Sequence, residues 1–271
     1  VSLKLLLVFL LPILGSDRLI VYGLLMMAVV IINTTVYRTI CRKKYEETKA
    51  GWIWDKKLFR EIMSFSGWNI FGASVKVFKN QGINILLNQF FNPVVVTARS
   101  IAFQVNSAVN SFAQNFSTAV RPQIIKEYAS GHFEGMKKLV YQSSKGTFFL
   151  MYLFTLPLCL EMHFTLSIWL KTPPQFAVLF TQLTLIDILI ESINYPLMTA
   201  AQATGKIRLY QGLVGGILLL NLPVSYLFLS LNFPAVAVFI IAICITIVAG
   251  ITRLIILKIL MQFSLLSLLT K

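Results

Sequence analysis

The sequence predicts an all-α, polytopic transmembrane helical bundle, and three observations lead to this prediction. Of the 271 residues, 57% are hydrophobic and only 13% are charged, and the mean hydropathy is +0.77. Soluble domains have roughly 45–50% apolar and about 25% charged residues. The apolar residues form runs about as long as the roughly 20 residues that a helix needs to cross a bilayer. The runs are joined by short turn-forming or basic stretches, as in a bundle of antiparallel helices.

Eight apolar runs follow one another along the chain. The first, 5–14, is too short to span a bilayer comfortably, and we interpret it as a helix cut by the boundary of the sequence. A signal peptide is the alternative, but no small-residue cleavage site follows Leu14. Three later runs contain Pro157, Pro196 and Pro223, which predict kinks. The other seven runs are 19–36, 67–91, 94–120, 146–170, 176–203, 209–231 and 235–257.

The formal charge of +14 would suggest nucleic-acid binding in a soluble protein, but the distribution of the charges indicates topology. Basic residues concentrate in 38–66, 121–145 and 206–208, and the other connections hold little beyond Arg18 and Lys171. By the positive-inside rule we expect these basic connections and the C-terminus on the cytoplasmic side. We therefore predict a multi-pass cell-membrane protein that contacts the lipid bilayer and has no nucleic-acid partner.

An amphipathic segment lies within the first basic connection. Its apolar residues recur at helical spacing against charged residues such as Asp55, Lys56 and Arg60. We expect an interfacial helix on the cytoplasmic membrane surface, either a tether between two bundles or a plain connection. The apolar residues are Trp54, Leu58, Ile62 and Phe65.

No pattern in the sequence indicates an enzyme. The three cysteines lack metal-ligand spacing, and the chain has only two histidines. It contains neither a glycine-rich phosphate loop nor a nucleophile elbow. We expect a non-enzymatic protein without cofactor, metal site or disulfide framework.

The most informative residues are polar groups at membrane depth, where they are costly unless they face a partner or water. Lys76 and Lys79 fall near the middle of run 67–91, on one broad face with its asparagines. Run 94–120 has two neighbouring polar lines. The first holds Arg99, Phe103, Asn106, Asn110, Gln114, Ser117 and Arg121, and the second holds Gln104, Ser107, Ser111, Asn115 and Thr118.

These polar faces predict a water-filled, positively charged passage. Amide side chains both donate and accept hydrogen bonds, which suits sugar hydroxyls, and basic side chains suit phosphate or carboxylate. Hydrogen bonding between helices without any substrate is the alternative. The predicted substrate-binding residues are Lys76, Lys79, Asn80, Arg99, Gln104, Asn106, Asn110 and Arg121.

Two acidic residues, Asp187 and Glu191, share one face of run 176–203. They either pair with Lys76, Lys79 or Arg99 across the bundle or bind a coupling proton or sodium ion. Both interpretations are open at this point.

Several segments resemble bacterial polysaccharide-export flippases, the Wzx-like branch of the multidrug/oligosaccharidyl-lipid/polysaccharide exporter superfamily. The most specific is Ala98-Arg-Ser-Ile-Ala-Phe-Gln-Val-Asn106. The others are Phe65-Ser-Gly-Trp-Asn-Ile-Phe-Gly72, Lys79-Asn-Gln-Gly-Ile-Asn84, Phe91-Asn-Pro-Val-Val95 and Thr199-Ala-Ala-Gln-Ala-Thr-Gly-Lys206.

The resemblance implies two bundles of about six helices that rock about a central cavity. Residues 1–37 would end a truncated N-terminal bundle, 38–66 would be a cytoplasmic linker, and 67–271 would form the C-terminal bundle. The missing N-terminal half would be a partner. The implied substrate is an undecaprenyl-diphosphate-linked oligosaccharide, moved across the bacterial inner membrane for O-antigen, capsule or exopolysaccharide synthesis. A cation-coupled multidrug extruder of the same superfamily and a non-transport membrane partner protein are the alternatives.

Overall fold

A computed structural model describes residues 18–45 and 54–261, and all of the regular structure in these residues is α-helical, which confirms the predicted all-α bundle. We number the helices in chain order. They are α1 (Arg18–Lys44), α2 (Lys56–Phe90), α3 (Pro93–Ala129), α4 (Phe133–Leu160), α5 (Met162–Leu170), α6 (Ala177–Ser192), α7 (Asn194–Ala203), α8 (Ile207–Leu219), α9 (Asn221–Ser230) and α10 (Val236–Met261).

The chain divides into two compact units, Val1–Phe59 and Arg60–Lys271. In the first unit, α1 is a 27-residue helix whose segment Ile20–Lys44 is long and apolar enough to cross a membrane. Its last turn carries three basic residues, which suit the partial negative charge at a helix C-terminus. The predicted first run, 5–14, lies outside the described residues.

Five helical segments in the described residues have the length and composition of membrane spans, including α1. In the second unit these are α4, α6 with α7, α8 with α9, and α10. The helices α2 and α3 contain 35 and 37 residues, but they do not meet the same apolar criterion. They correspond to the predicted runs 67–91 and 94–120, whose polar faces explain the difference. With them, the described part of the second unit contains six helical segments of spanning length.

Side-chain caps stabilise the N-terminal ends of α2 and α3. The Asp55 carboxylate accepts hydrogen bonds from the backbone N–H groups of Lys57 and Leu58, which caps α2. Asn92 caps α3 by accepting from the Val95 N–H at 3.2 Å, and a proline follows at the first helical position. The amphipathic segment that we predicted as an interfacial helix is therefore the start of α2. Its place on the membrane surface stays a prediction.

Helix breaks occur near two of the three prolines that predicted kinks. The break between α6 and α7 lies at Ile193, three residues before Pro196, and the break between α8 and α9 lies at Leu220, three residues before Pro223. Proline removes one helix hydrogen bond, so another group must satisfy the freed backbone. At the first of these breaks, the Ser144 hydroxyl of α4 donates to the Ile193 carbonyl at 3.1 Å. The third proline lies inside α4.

Two hydrophobic clusters hold the second unit together. One contains a close ring stack between Phe180 of α6 and Phe239 of α10, with centroids 4.3 Å apart. The other joins α4, α7, α8 and α10 through residues that include Met136, Leu197 and Ile256. Because α3 packs on α4, α6 and α7, and α10 packs on α6, α8 and α9, the polar faces of α2 and α3 are turned toward an internal space.

Candidate functional site

A cavity of about 660 Å³ lies inside the second unit and is lined by α2, α3 and α6–α10. This volume is within the range of about 300–1,000 Å³ that is typical of small-molecule sites. Both polar helices face it, which explains how their Lys, Arg and Asn side chains are accommodated in a membrane bundle.

The structure brings nine of the ten predicted site residues to this cavity. Gln104 is the exception, because it is exposed and does not contribute to the lining. It directly follows Phe103, which does line the cavity, and one residue turns an α-helix by about 100°. The residues at the cavity are Lys76, Lys79, Asn80, Arg99, Asn106, Asn110, Arg121, Asp187 and Glu191.

Most residues of the second polar line of α3, like Gln104, lie outside the cavity lining. Ser107, Ser111 and Asn115 are exposed and lie outside the lining, and only Thr118 of this line reaches the cavity. The predicted passage is therefore lined by the first polar line of α3. The exposed line leaves a polar stripe on the surface of the second unit.

Arg99 is the most enclosed of the predicted cations, with 4% of its surface exposed. Its Nη1 donates to the Asn84 side-chain oxygen, and its Nη2 donates to the Asn80 carbonyl at 3.2 Å. The guanidinium also lies 4.3 Å from the centre of the Phe103 ring, a cation–π distance. All of these partners are neutral, so they fix the guanidinium without cancelling its charge.

Lys76 and Lys79 line the cavity one turn apart on α2, and neither forms an ion pair with any residue that the structure describes. The nearest acidic influence on Lys79 is Asp187, which acts through space. Thr246 lies beside the Asp187 carboxylate, whose buried Oδ1 has no hydrogen-bond partner among the described residues. The predicted pairing of Asp187 with a lysine is thus a loose electrostatic one.

Glu191 is held by a cation that the sequence analysis did not assign to the site. Arg253 of α10 approaches both Glu191 carboxylate oxygens, at 3.3 and 3.4 Å, and donates through Nε to the Tyr210 hydroxyl at 3.1 Å. Its side chain is 5% exposed, and that of Glu191 is 29% exposed. Arg253 lies within the most hydrophobic span, and a charged residue in such a span is a signal of a functional role. Because Arg253 is near the C-terminus, we instead expected it at the cytoplasmic end of the span.

Neutral groups complete the lining between the charged ones. Asn110 accepts a hydrogen bond from the Tyr195 hydroxyl at 2.7 Å, and Asn106 donates to the Thr184 carbonyl at 3.4 Å. Arg121 donates to the Gln202 side-chain oxygen at 2.9 Å. These contacts hold the polar face of α3 against α6 and α7.

Basic side chains outnumber acidic ones five to two along the cavity. The Glu191–Arg253 pair is the one ion pair among them in the part of the chain that the structure describes. Four cations therefore remain without a carboxylate partner there, and their positive potentials add along the shared cavity. Such a site favours an anion. The four are Lys76, Lys79, Arg99 and Arg121.

Comparison with known proteins identifies one family. The MatE family model matches residues 70–227, which is more than half of the chain and includes α3 to α8 completely. No curated protein and no solved structure matches this chain.

Proposed function

Because this chain belongs to the MatE family of membrane exporters, we propose that it moves a lipid-diphosphate-linked oligosaccharide across the bacterial inner membrane. The transported unit would serve O-antigen, capsule or exopolysaccharide synthesis. Transport proceeds by alternating access, without enzymatic chemistry, and the C-terminus lies in the cytoplasm.

The observation that carries this proposal is the group of four cavity cations without a carboxylate partner among the described residues. Of the four, Arg99 is buried, whereas Lys76 and Arg121 are exposed at the cavity. A buried cation without counter-charge is unfavourable in the empty site, and an anion that binds Arg99 relieves that cost. A diphosphate offers several oxygens, which suits lysine point charges and the forked guanidinium of Arg99 together. The amide and hydroxyl groups between the cations suit sugar hydroxyls.

A cation-coupled multidrug extruder is the second candidate. Phe103, Tyr195 and Phe239 line the cavity and offer aromatic faces to an organic cation, and Asp187 offers a negative charge. The excess of basic groups opposes this candidate, because a cationic drug entering the cavity is repelled by the net positive charge of its lining.

Equilibrium binding to the purified chain in nanodiscs separates the candidates. We expect binding of undecaprenyl diphosphate that weakens as salt is raised, because salt screens the attraction between the phosphates and the cavity cations. We expect no measurable binding of tetraphenylphosphonium, a lipophilic cation. The reverse preference would favour the extruder, and binding of neither probe would favour a non-transport membrane partner protein.

Asp187 is our candidate for ion coupling, and Glu191, which the sequence analysis also proposed, is already paired with Arg253. The unpartnered Oδ1 of Asp187 lies at the cavity close enough to Lys79 for their charges to interact. A proton or sodium ion taken up by Asp187 therefore changes the charge that the substrate meets.

We expect Asp187→Asn to remove the dependence of undecaprenyl diphosphate binding on pH or on sodium, whichever the unmodified protein shows. Titrations at several pH values and sodium concentrations measure this. Thr246→Val is the matched control, because it removes a hydroxyl beside the carboxylate and keeps the carboxylate charge. An unchanged ion dependence in Asp187→Asn would place the coupling elsewhere.

A further inference from the structure

Two polar residues of α9, Asn221 and Ser225, have no role in the function proposed above. Both are 0% exposed. Neither the amide nitrogen and oxygen of Asn221 nor the hydroxyl of Ser225 has a hydrogen-bond partner in the part of the chain that the structure describes. Since buried polar atoms without partners are costly and uncommon, each calls for an explanation. The two residues are four positions apart and therefore lie on the same face of the helix.

The location of Asn221 connects this face to the cavity. Asn221 belongs to the lining, at the end of a row of residues that α8 and α9 present to the same space. This wall differs from the one formed by α2 and α3, because it contributes no charged side chain to the lining. Its members are Tyr210, Gln211, Val214, Leu218 and Asn221.

The neutral wall suits a different part of the substrate from the basic wall. An asparagine amide can donate and accept at once, as can a serine hydroxyl, and this matches a sugar hydroxyl. A neutral amide offers no net charge to a phosphate. This wall also does not suit a metal cation, because α8 and α9 bring no carboxylate to the cavity.

We propose that Asn221 forms a subsite for the hydroxyl groups of the uncharged sugar, while the basic wall holds the diphosphate. This inference rests on the proposed function. It names the residue that makes the protein bind a glycosylated carrier lipid more tightly than the bare carrier lipid. The polar atoms of Asn221 that lack partners in the empty site gain them from the sugar.

Access to the subsite requires the wall to open, because the polar atoms of Asn221 are closed off from solvent. The surrounding geometry provides a place for this movement. The helix break at Leu220 and the proline at 223 flank Asn221. The neighbouring Leu222 packs directly on Gly82 of α2, where an added Cβ would lie only 2.4 Å from the leucine side chain. This contact between α2 and α9 lies one residue from Asn221.

The test compares two probes on the purified full chain in nanodiscs: undecaprenyl diphosphate alone, and the same lipid carrying glucose, galactose or N-acetylglucosamine. We expect at least one glycosylated form to bind about tenfold more tightly than the bare lipid, from one or two added hydrogen bonds. Asn221→Leu, which keeps the size but removes both polar atoms, should bring this ratio close to one. Affinity for the bare lipid should not change.

Thr155→Val is the matched control, because the Thr155 hydroxyl is also buried and unpartnered among the described residues but lies outside the cavity lining. Both Asn221→Leu and Thr155→Val remove a costly buried polar group, so melting temperatures monitor the structural effect. If Asn221→Leu raises the melting temperature as Thr155→Val does and leaves the binding ratio intact, the residue is only structural and the inference is overturned.

The two proposals fail in different ways. If the unmodified chain binds the bare lipid as tightly as every glycosylated form, the anion site stands and the sugar subsite is overturned. If it binds none of these lipids, the proposed function fails and the subsite fails with it.

Discussion

Glu191→Gln is expected to destabilise the second unit by about 3–5 kcal/mol, the cost of leaving one member of a buried ion pair without its counter-charge. The remaining member would be Arg253, whose side chain is only 5% exposed. Glutamine can still accept one hydrogen bond from the guanidinium, but it supplies no negative charge. The Tyr210 hydroxyl, which also contacts Arg253, cannot replace that charge.

The opposite substitution, Arg253→Met, should cost less. It leaves the Glu191 carboxylate, which is 29% exposed and faces a cavity large enough to hold water. It also replaces a buried guanidinium with an apolar side chain of similar length. Removing both members together should cost less than Glu191→Gln alone, because neither charge is then left buried. The expected order of stability is therefore Arg253→Met above Glu191→Gln, with the double variant also above Glu191→Gln.

Thermal unfolding in detergent measures this order, and a double-mutant cycle gives the interaction energy of the pair. The control is Glu134→Gln, which breaks the surface pair between Glu134 and Lys137 at 2.8 Å, where the glutamate side chain is 87% exposed. That pair should contribute less than about 1 kcal/mol. Equal melting temperatures for Glu191→Gln and Glu134→Gln would contradict the buried ion pair.

Much of the fold could be predicted from the sequence, because a segment that crosses a bilayer must be long and mostly apolar. Long apolar runs must be helices, and prolines such as Pro196 and Pro223 indicate the breaks near them. Hydropathy alone could not identify α2 and α3, which are too polar to count as spans. The regular spacing of their polar residues identified them as helices that face an internal passage.

The sequence was less informative about pairings between helices. It placed Asp187 and Glu191 on one face, but the choice of partner depends on which helix packs opposite, and that choice is made by the tertiary packing of α6 against α10. Arg253 therefore could not be matched to Glu191 in advance. The two polar lines of α3 differ in a similar way. They are equally polar in sequence, and only the positions of α6 and α7 decide that Asn106 faces the cavity and Gln104 does not.

Changing Lys76, Lys79 and Arg99 together to glutamine is expected to lower the affinity for undecaprenyl diphosphate by at least about 100-fold. Each hydrogen bond to a charged group contributes about 1.5–3 kcal/mol, so the loss of two such contacts suffices for this change. Lys79 should contribute most among the lysines. Its removal also leaves the charge of Asp187 uncompensated beside the bound phosphates.

Three single variants, Arg99→Lys, Arg99→Gln and Lys76→Arg, should separate the effect of charge from that of side-chain geometry. Arg99→Lys keeps a positive charge but loses the forked contacts to the Asn84 side chain and the Asn80 carbonyl, so its affinity should lie between those of the unmodified protein and Arg99→Gln. Lys76 has no such fixed partners among the described residues, and Lys76→Arg should bind nearly normally.

A second triple variant removes the same charge outside the cavity: Lys56→Gln, Lys57→Gln and Arg60→Gln at the exposed start of α2. If the cavity cations bind the diphosphate, only the first triple variant loses affinity and only it shows a weaker salt dependence, because fewer charges remain to be screened at the site. Equal losses in both would mean that the total basic charge attracts the lipid without a defined site. Full affinity in the first triple variant would place the anion elsewhere, and the cavity cations would then have only a structural role.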